Sequence, residues 1–306
     1  MIDVIQSCSA SSVRDAATDA PLWVQPTSSS VSSACLTLDI ARATFYRNRF
    51  TDALVDPDLN LRDRIQKIAL DWPSYDYRRI TAQLRRDRLK VNHKLILRLM
   101  REDNLLCLRK TRFRIATTDS SHGLPISPNL AKKLLVTRCD QLWVSDITYI
   151  RLRHEFVYLA VVIDAFSRKV IGWALSRRID SALAMAALDM ALAARRPQPD
   201  TLIHHSDRGS QYASAEYVER LQDNKIAVSM SRKGMPQDNA FAESFMKALK
   251  YEEVYMTEYD NIADARDQIG YFLEEVYNKK RLHSALGYLP PTEFETNVSK
   301  YKRTAP

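Results

Sequence analysis

The spacing of apolar residues changes near the middle of this 306-residue chain. Leu61 to Trp72 carries apolar side chains at 61, 65, 68, 69 and 72, which predicts an amphipathic helix ended by Pro73. Tyr77 to Arg88 repeats the pattern, with Ile80 and Leu84 inward and Arg78, Arg79, Arg85, Arg86 and Arg88 outward. Asn92 fits an N-cap for a third helix, His93 to Asp103, on which Ile96, Leu99 and Met100 share a face. An earlier helix is predicted over Cys35–Arg49, broken by Asp56-Pro57. From Gln141 the period becomes that of strands. Gln141–Ile150, Phe156–Asp164 and Lys169–Leu175 are β-branched and aromatic runs joined by short polar turns, a meander of three antiparallel strands. Helix and strand then alternate: Ala182–Ala194 helical, Thr201–Ser206 extended, Ala213–Asn224 helical, Ile226–Met230 extended, Asn239–Lys250 and Ile262–Tyr277 helical.

This order divides the chain. Residues 1–34, rich in Ser and Ala with little periodicity, read as disordered or poorly structured. Residues 35–114 read as a helical DNA-binding region, with a helix-turn-helix over about 60–106. Residues 115–137 read as a linker and 138–298 as a core with a C-terminal helix. The expected fold class is α/β: a mixed sheet flanked by helices, in the order of a ribonuclease-H-like domain, preceded by a small all-α region.

Charge sharpens that division. Residues 1–140 hold 23 Lys+Arg against 15 Asp+Glu, whereas 141–306 hold 22 of each. Tyr77 to Arg114 alone has 13 basic and 3 acidic side chains, the kind of block that a phosphate backbone attracts. A solvated helix face is the plainer reading of the same residues. Cys8, Cys35, Cys107 and Cys139 are scattered and suggest neither a zinc site nor a disulfide framework, so a reduced, cytoplasmic protein is expected. No apolar run reaches the length of a membrane span, and the amino terminus lacks the basic-then-apolar order of a signal peptide.

Three acids carry the candidate chemistry. Asp146 interrupts the apolar run Leu142–Ile150, where a carboxylate without a partner would be costly or would shift its pKa. Asp207 follows the run Leu202–Ser206, and Glu243 comes after 35 intervening residues on a predicted helix. Carboxylates at two strand positions and on one helix can converge on a pair of divalent cations for displacement at phosphorus. On a helical wheel Glu243, Lys247 and Lys250 fall within about 60° of each other, with Phe241, Phe245 and Ala248 opposite. Each acid also has an ordinary reading: a turn aspartate for Asp207, a surface i,i+4 Glu–Lys pair for Glu243 and Lys247.

Longer stretches make a family resemblance specific. They are Trp143–Tyr149, Asp164–Arg168, His205–Tyr212, Asp238–Phe245 with Leu249-Lys250, and Tyr277-Asn278, Arg281, His283, Leu286-Gly287-Tyr288, Pro291 and Phe294. In this order they resemble the second-frame product of the IS-three type of insertion-sequence transposases, within the retroviral-integrase superfamily. Tyr75 to Leu106 further resembles the helix-turn-helix that precedes that family's core.

The resemblance implies a D,D,35-E triad of Asp146, Asp207 and Glu243 binding two Mg²⁺ or Mn²⁺ ions, with His205, Arg208 and Asn239 as further active-site candidates. Arg78, Arg79, Arg85, Arg86, Lys247 and Lys250 are then the candidate DNA contacts. The implied activity is cutting of an element's ends followed by joining of the 3′ hydroxyl to DNA, with no covalent enzyme intermediate. Implied partners are the element's terminal inverted repeats, target DNA, further copies of the chain in a homo-oligomer on DNA, and an upstream-frame DNA-binding protein to which it is fused or beside which it acts. The implied location is the bacterial cytoplasm, at the nucleoid. A catalytically idle DNA-binding regulatory relative and a ribonuclease-H-like nuclease stay open as alternatives. Asp39 stands where the family's short upstream motif usually has glycine, and Leu282 where proline is usual between Arg281 and His283. The Ser-rich start does not resemble the family.

Overall fold

The computed structural model describes residues 32, 35–36, 39, 41–44, 56–106, 123–232 and 235–304. Two compact units divide the chain, Met1–Asn60 and Leu61–Pro306. The expectations for residues 1–34 and for a helix over Cys35–Arg49 fall largely outside the described residues, as does the first part of the expected linker.

The helix-turn-helix comprises α1 (Leu59–Asp71), α2 (Tyr77–Arg86) and α3 (His93–Glu102). Asp76 caps α2 by accepting a hydrogen bond from Arg79 N, and Asn92 caps α3 by accepting one from Lys94 N. Ile65, Ile68, Ile80, Leu84, Ile96, Leu99 and Met100 form their shared core. That core is completed from far along the chain. Leu282 is buried in it with Tyr288 packed alongside, and Leu282 N donates to Tyr75 Oη at 2.8 Å. The helical region drawn at 35–114 therefore lacks one of its own core residues.

The second layer system is a five-stranded sheet in the order β3-β2-β1-β4-β5. Its strands are β1 (Leu142–Arg151), β2 (Phe156–Asp164), β3 (Val170–Ser176), β4 (Ile203–Ser206) and β5 (Ala227–Met230). The first three form the expected antiparallel meander, and β4 and β5 add in parallel beside β1. Helices cover both faces. On one face α4 (Ser181–Arg195) and α6 (Ala215–Asp223) pack over Trp143, Ile147, Ala160 and Val162. On the other, α7 (Ala240–Leu249) and α8 (Ile262–Tyr271) pack over Leu142, Val144, Val161 and Ile163. The α4 side depends on Gly172 of β3, where a Cβ would come within 2.2 Å of the Ala187 carbonyl oxygen.

Several elements differ from the periodicity reading. The helix expected over Ala213–Asn224 is split by Ser214, whose extended backbone separates a short turn, α5 (Ser210–Ala213), from α6. Asn239 lies in a 3-10 turn, Pro236–Asn239, before α7 begins. Both α7 and α8 continue as π-helical turns, Lys250–Val254 and Phe272–Tyr277. A final helix, α9 (Pro291–Thr304), follows Pro290 and was not expected. Its Glu295 bonds Arg195 and, at 3.1 Å, Lys169. The described part of the linker lies on the core: Leu130 N donates to Ser229 Oγ at 2.9 Å, and Ala131, Leu134 and Val136 pack on the sheet's α7 side.

Candidate active site

Strand alternation orients the first acid. Leu142, Val144 and Ile150 face α7 and α8 while Trp143 and Ile147 face α4 and α6, so Asp146 projects toward the α7 side. The parallel register pairs Val144 with His205, and its continuation sets Asp146 level with Asp207, just beyond the end of β4. Asp207 Oδ1 accepts the Gly209 amide at 2.9 Å, which fixes the turn that leaves the strand. A Cβ at Gly209 would lie 3.1 Å from that same oxygen and 2.4 Å from Gln211 Oε1, so a larger residue there would require both side chains to give.

Glu243 is on the first turns of α7 and is exposed. Asn239, in the turn before that helix, donates from Nδ2 to the Ser145 carbonyl at 3.1 Å. This bond ties the start of the Glu243 helix to the strand residue next to Asp146. The Oδ1 of Asn239 is buried and has no hydrogen-bond partner among the described residues.

The electrostatics join the three acids. Burial, then the Asp207 carboxylate and more weakly Glu243, push Asp146 up to about 7, against the opposing Ile147 amide and Lys250. Lys250 sits with Nζ 4.4 Å from the centroid of the Tyr149 ring and is itself held below its ordinary pKa by burial, with Asp146 opposing that shift. The expected grouping of Glu243, Lys247 and Lys250 thus separates: Glu243 and Lys247 are exposed, whereas Lys250 turns in beside Asp146. Ala242, Phe245, Met246 and Leu249 form the buried face of α7; Phe241 is only half-buried, with the Arg168 guanidinium 4.0 Å above its ring.

Among the described residues, no three His, Cys, Asp or Glu side chains are grouped closely enough to hold one metal ion. The structure therefore sets the acids in one electrostatic neighbourhood without closing a cage around an ion.

Two other candidates hold the frame. His205 is buried, its Nδ1 2.8 Å from Ser229 Oγ and its Nε2 3.1 Å from Ser231 Oγ, and burial holds its pKa down. Arg208 Nε donates to the Ser231 carbonyl at 2.6 Å, tying the loop after β4 to the end of β5. Pattern reading missed Tyr212. It is buried on α5 with its hydroxyl unpartnered among the described residues, and burial, the neighbouring Tyr217, and the charges of Asp146 and Asp207 all push its pKa upward. Only folding brings α5 under the acids.

The arginines of α2 do not share one fate. Arg78, Arg85 and Arg86 line a cleft of about 530 Å³ closed by Gly287, Tyr288 and Leu289. Arg79, expected outward, instead donates from Nε to the Leu282 carbonyl at 3.2 Å with its guanidinium 5.7 Å from the Tyr75 ring centroid. The reason is the same chain segment that fills the helix-turn-helix core. Arg86 pairs with Glu293 of α9 at 2.7 Å, and Arg85 donates to the Val91 carbonyl at 3.1 Å.

Comparison with known proteins agrees with this architecture. Residues 136–236 and 224–291 each match a family described as the integrase core domain, and residues 56–113 match the HTH-like domain. The chain is 35% identical over 272 residues to transposase InsF for insertion sequence IS3A of Escherichia coli (strain K12), covering 87% of this chain and 94% of that protein. It belongs to the IS3 family of insertion-sequence transposases. A second relative of this IS3-family chain is the insertion element IS600 uncharacterized 31 kDa protein of Shigella sonnei, 38% identical over 233 residues, covering 76% of this chain and 84% of that one. Among solved structures it shows a distant likeness to the HTLV-2 integrase catalytic core domain in complex with magnesium, at 15% identity and a TM-score of 0.40, covering 51% of this chain and 96% of that one. Within the family the fold is the mixed α/β core of ribonuclease-H-like integrases with a small helical region before it.

Proposed function

We propose that this chain cuts the ends of an insertion sequence and joins the freed 3′ hydroxyl to DNA, with Asp146, Asp207 and Glu243 holding two Mg²⁺ or Mn²⁺ ions. The observation that carries the reading is Asp146. It is a desolvated carboxylate beside a second one and within reach of the charge of a third, pushed up to about 7 against the opposing Ile147 amide and the positive charge of Lys250. Such a site favours added positive charge, and an all-carboxylate donor set suits hard cations. When bound, the ions supply Lewis-acid stabilisation of the charge that develops at phosphorus and on the leaving oxygen.

The chain's own residues do the positioning. β1 and the turn after β4 hold Asp146 and Asp207 side by side, and the Asn239 bond to Ser145 sets the start of the helix that brings Glu243. Lys250, half-buried beside Asp146, adds a fixed positive charge at the phosphate. In the first step a water oxygen displaces the 3′ oxygen of the element's end. In the second, that 3′ hydroxyl displaces a 3′ oxygen elsewhere in DNA, so phosphodiester bonds are exchanged and no enzyme nucleophile is consumed. Arg78, Arg85 and Arg86 would meet the terminal inverted repeat, and Lys247 would meet flanking phosphates. Two ends need two active sites, so the working form is a homo-oligomer on DNA. Such chemistry belongs to the bacterial nucleoid, and among the described residues no helix is long and apolar enough to cross a membrane.

The test uses labelled fragments of the element's end. Asp146→Asn, Asp207→Asn and Glu243→Gln should each abolish both cleavage and joining while DNA binding persists. Near-normal metal-dependent strand transfer by any one of them would refute the assignment.

A further inference from the structure

A cleft of about 600 Å³ lies outside the acid site and outside the Arg78–Arg85 cleft. One wall is α1 with the residue that follows it, contributing Arg64, Lys67 and Trp72. Lys279-Lys280, which follow the π turn Phe272–Tyr277 after Asn278, line it as well. The helix-turn-helix and the carboxyl-terminal part of the catalytic unit therefore build it together.

Its charge is strongly one-sided. Arg64, Lys67, Arg86, Lys279 and Lys280 line it against Asp71 and Asp87. Lys279 is held by Glu275, and Arg86 is held by Glu293 at 2.7 Å. The other three cations keep their charge available. Arg64 and Lys67 lie one turn apart on the exposed side of α1, away from buried Ile65 and Ile68, and among the described residues neither forms an ion pair. Lys280 Nζ donates to a neutral group, the Tyr271 hydroxyl, at 3.2 Å, and among the described residues it forms no ion pair. Ile68, Trp72 and Pro290 supply apolar walls, and Trp72 is fixed by stacking on Tyr75 at 4.8 Å. A concave site with low-dielectric walls and unneutralised cations on two sides focuses its field on a polyanion.

We propose that this cleft grips the phosphate backbone of duplex DNA passing between the helix-turn-helix and the catalytic unit. The contact rests on the DNA-joining reading above, yet it uses neither the triad nor Arg78 and Arg85, and Arg86, which lines both clefts, is held by Glu293. It is sequence-independent, because side chains that meet phosphates carry no base information. It also places one stretch of backbone against both parts of the molecule at once, so that DNA held by the helical region is bridged to the unit that carries the acids.

The experiment measures binding of the full chain to a random-sequence duplex by fluorescence anisotropy over a salt titration. The triple variant Arg64→Ala/Lys67→Ala/Lys280→Ala should flatten the log–log salt slope by about two to three units, since each lost phosphate contact removes roughly 0.9. The charge-preserving variant Arg64→Lys/Lys67→Arg/Lys280→Arg should keep the wild-type slope, which separates charge from folding. Wild-type slope in a folded alanine variant would overturn this inference alone. Wild-type protein that fails to bind duplex at low salt would overturn the DNA-joining reading and this inference with it.

Discussion

Removing Arg281 should destabilise the whole catalytic unit. Its guanidinium is paired with Glu252 through two bonds, Nε to Oε2 at 2.6 Å and Nη2 to Oε1 at 2.7 Å, and the two side chains are only 7% and 9% exposed. Tyr277 lies under the guanidinium and His283 beside it. Arg281→Met leaves the Glu252 carboxylate buried without its partner, a loss of about 3–5 kcal/mol for pairs of this kind. In a unit of this size that is roughly a 6–20 °C fall in Tm. The consequence reaches the active site, because Glu252 lies on the π turn that continues the Glu243 helix. Thermal and urea unfolding followed by circular dichroism reads the loss. The double variant Arg281→Met/Glu252→Leu should recover much of it, since a well-packed apolar pair often matches a buried ion pair. Arg177→Met, which breaks only the exposed pair with Glu155, serves as the control and should leave Tm unchanged. If Arg281→Met melts with that control, the pair does not hold the helix and the reasoning fails.

Three further outcomes follow from the same contacts. Gly172→Ala should lower stability by about 1–3 kcal/mol, because the new Cβ would overlap the Ala187 carbonyl at 2.2 Å and force α4 off β3; an unchanged unfolding midpoint would show that the helix yields freely. Lys250→Ala should cost more strand transfer than Lys247→Ala at every salt concentration, since only Lys250 turns in beside Asp146; equal losses would show that both act as surface charges. Burial holds His204 and His283 down at about 3, so the folded state excludes a proton that the unfolded chain takes up below about 6.5. Their stability is fully present above that pH and is lost as pH falls toward about 3, at about 1.4 kcal/mol per pH unit for each histidine. His283→Gln should flatten the acid limb of a stability–pH curve, and an unaltered limb would mean that His283 charges freely in the fold.

Much of this molecule is legible in one dimension, because many of its elements announce themselves locally. The period-two runs of β1 to β3 and the helical spacing of α1 to α3 are each carried by contiguous residues, and Asn92 caps α3 as its side chain suggests. Asp146 stands out because a carboxylate in an apolar strand is chemically anomalous wherever that strand goes. Local pattern has no access to partners far along the chain. Leu282 lies in the helix-turn-helix core and its carbonyl turns Arg79 away from solvent, though the two are 203 residues apart in sequence. The π turns at Lys250 and Phe272 leave no mark in periodicity, yet the first carries Glu252 into its pair with Arg281. Lys250 looks like Lys247 on a helical wheel; tertiary packing against Tyr149 and Asp146 half-buries one and leaves the other in water. Sequence alone determined the element types, the basic and neutral halves and which acids to suspect, since these follow from nearest neighbours. Which cations remain free, which are held by carboxylates, and how the acids feel one another were decided only by the tertiary structure, because burial and Coulomb interactions depend on distance in space rather than along the chain.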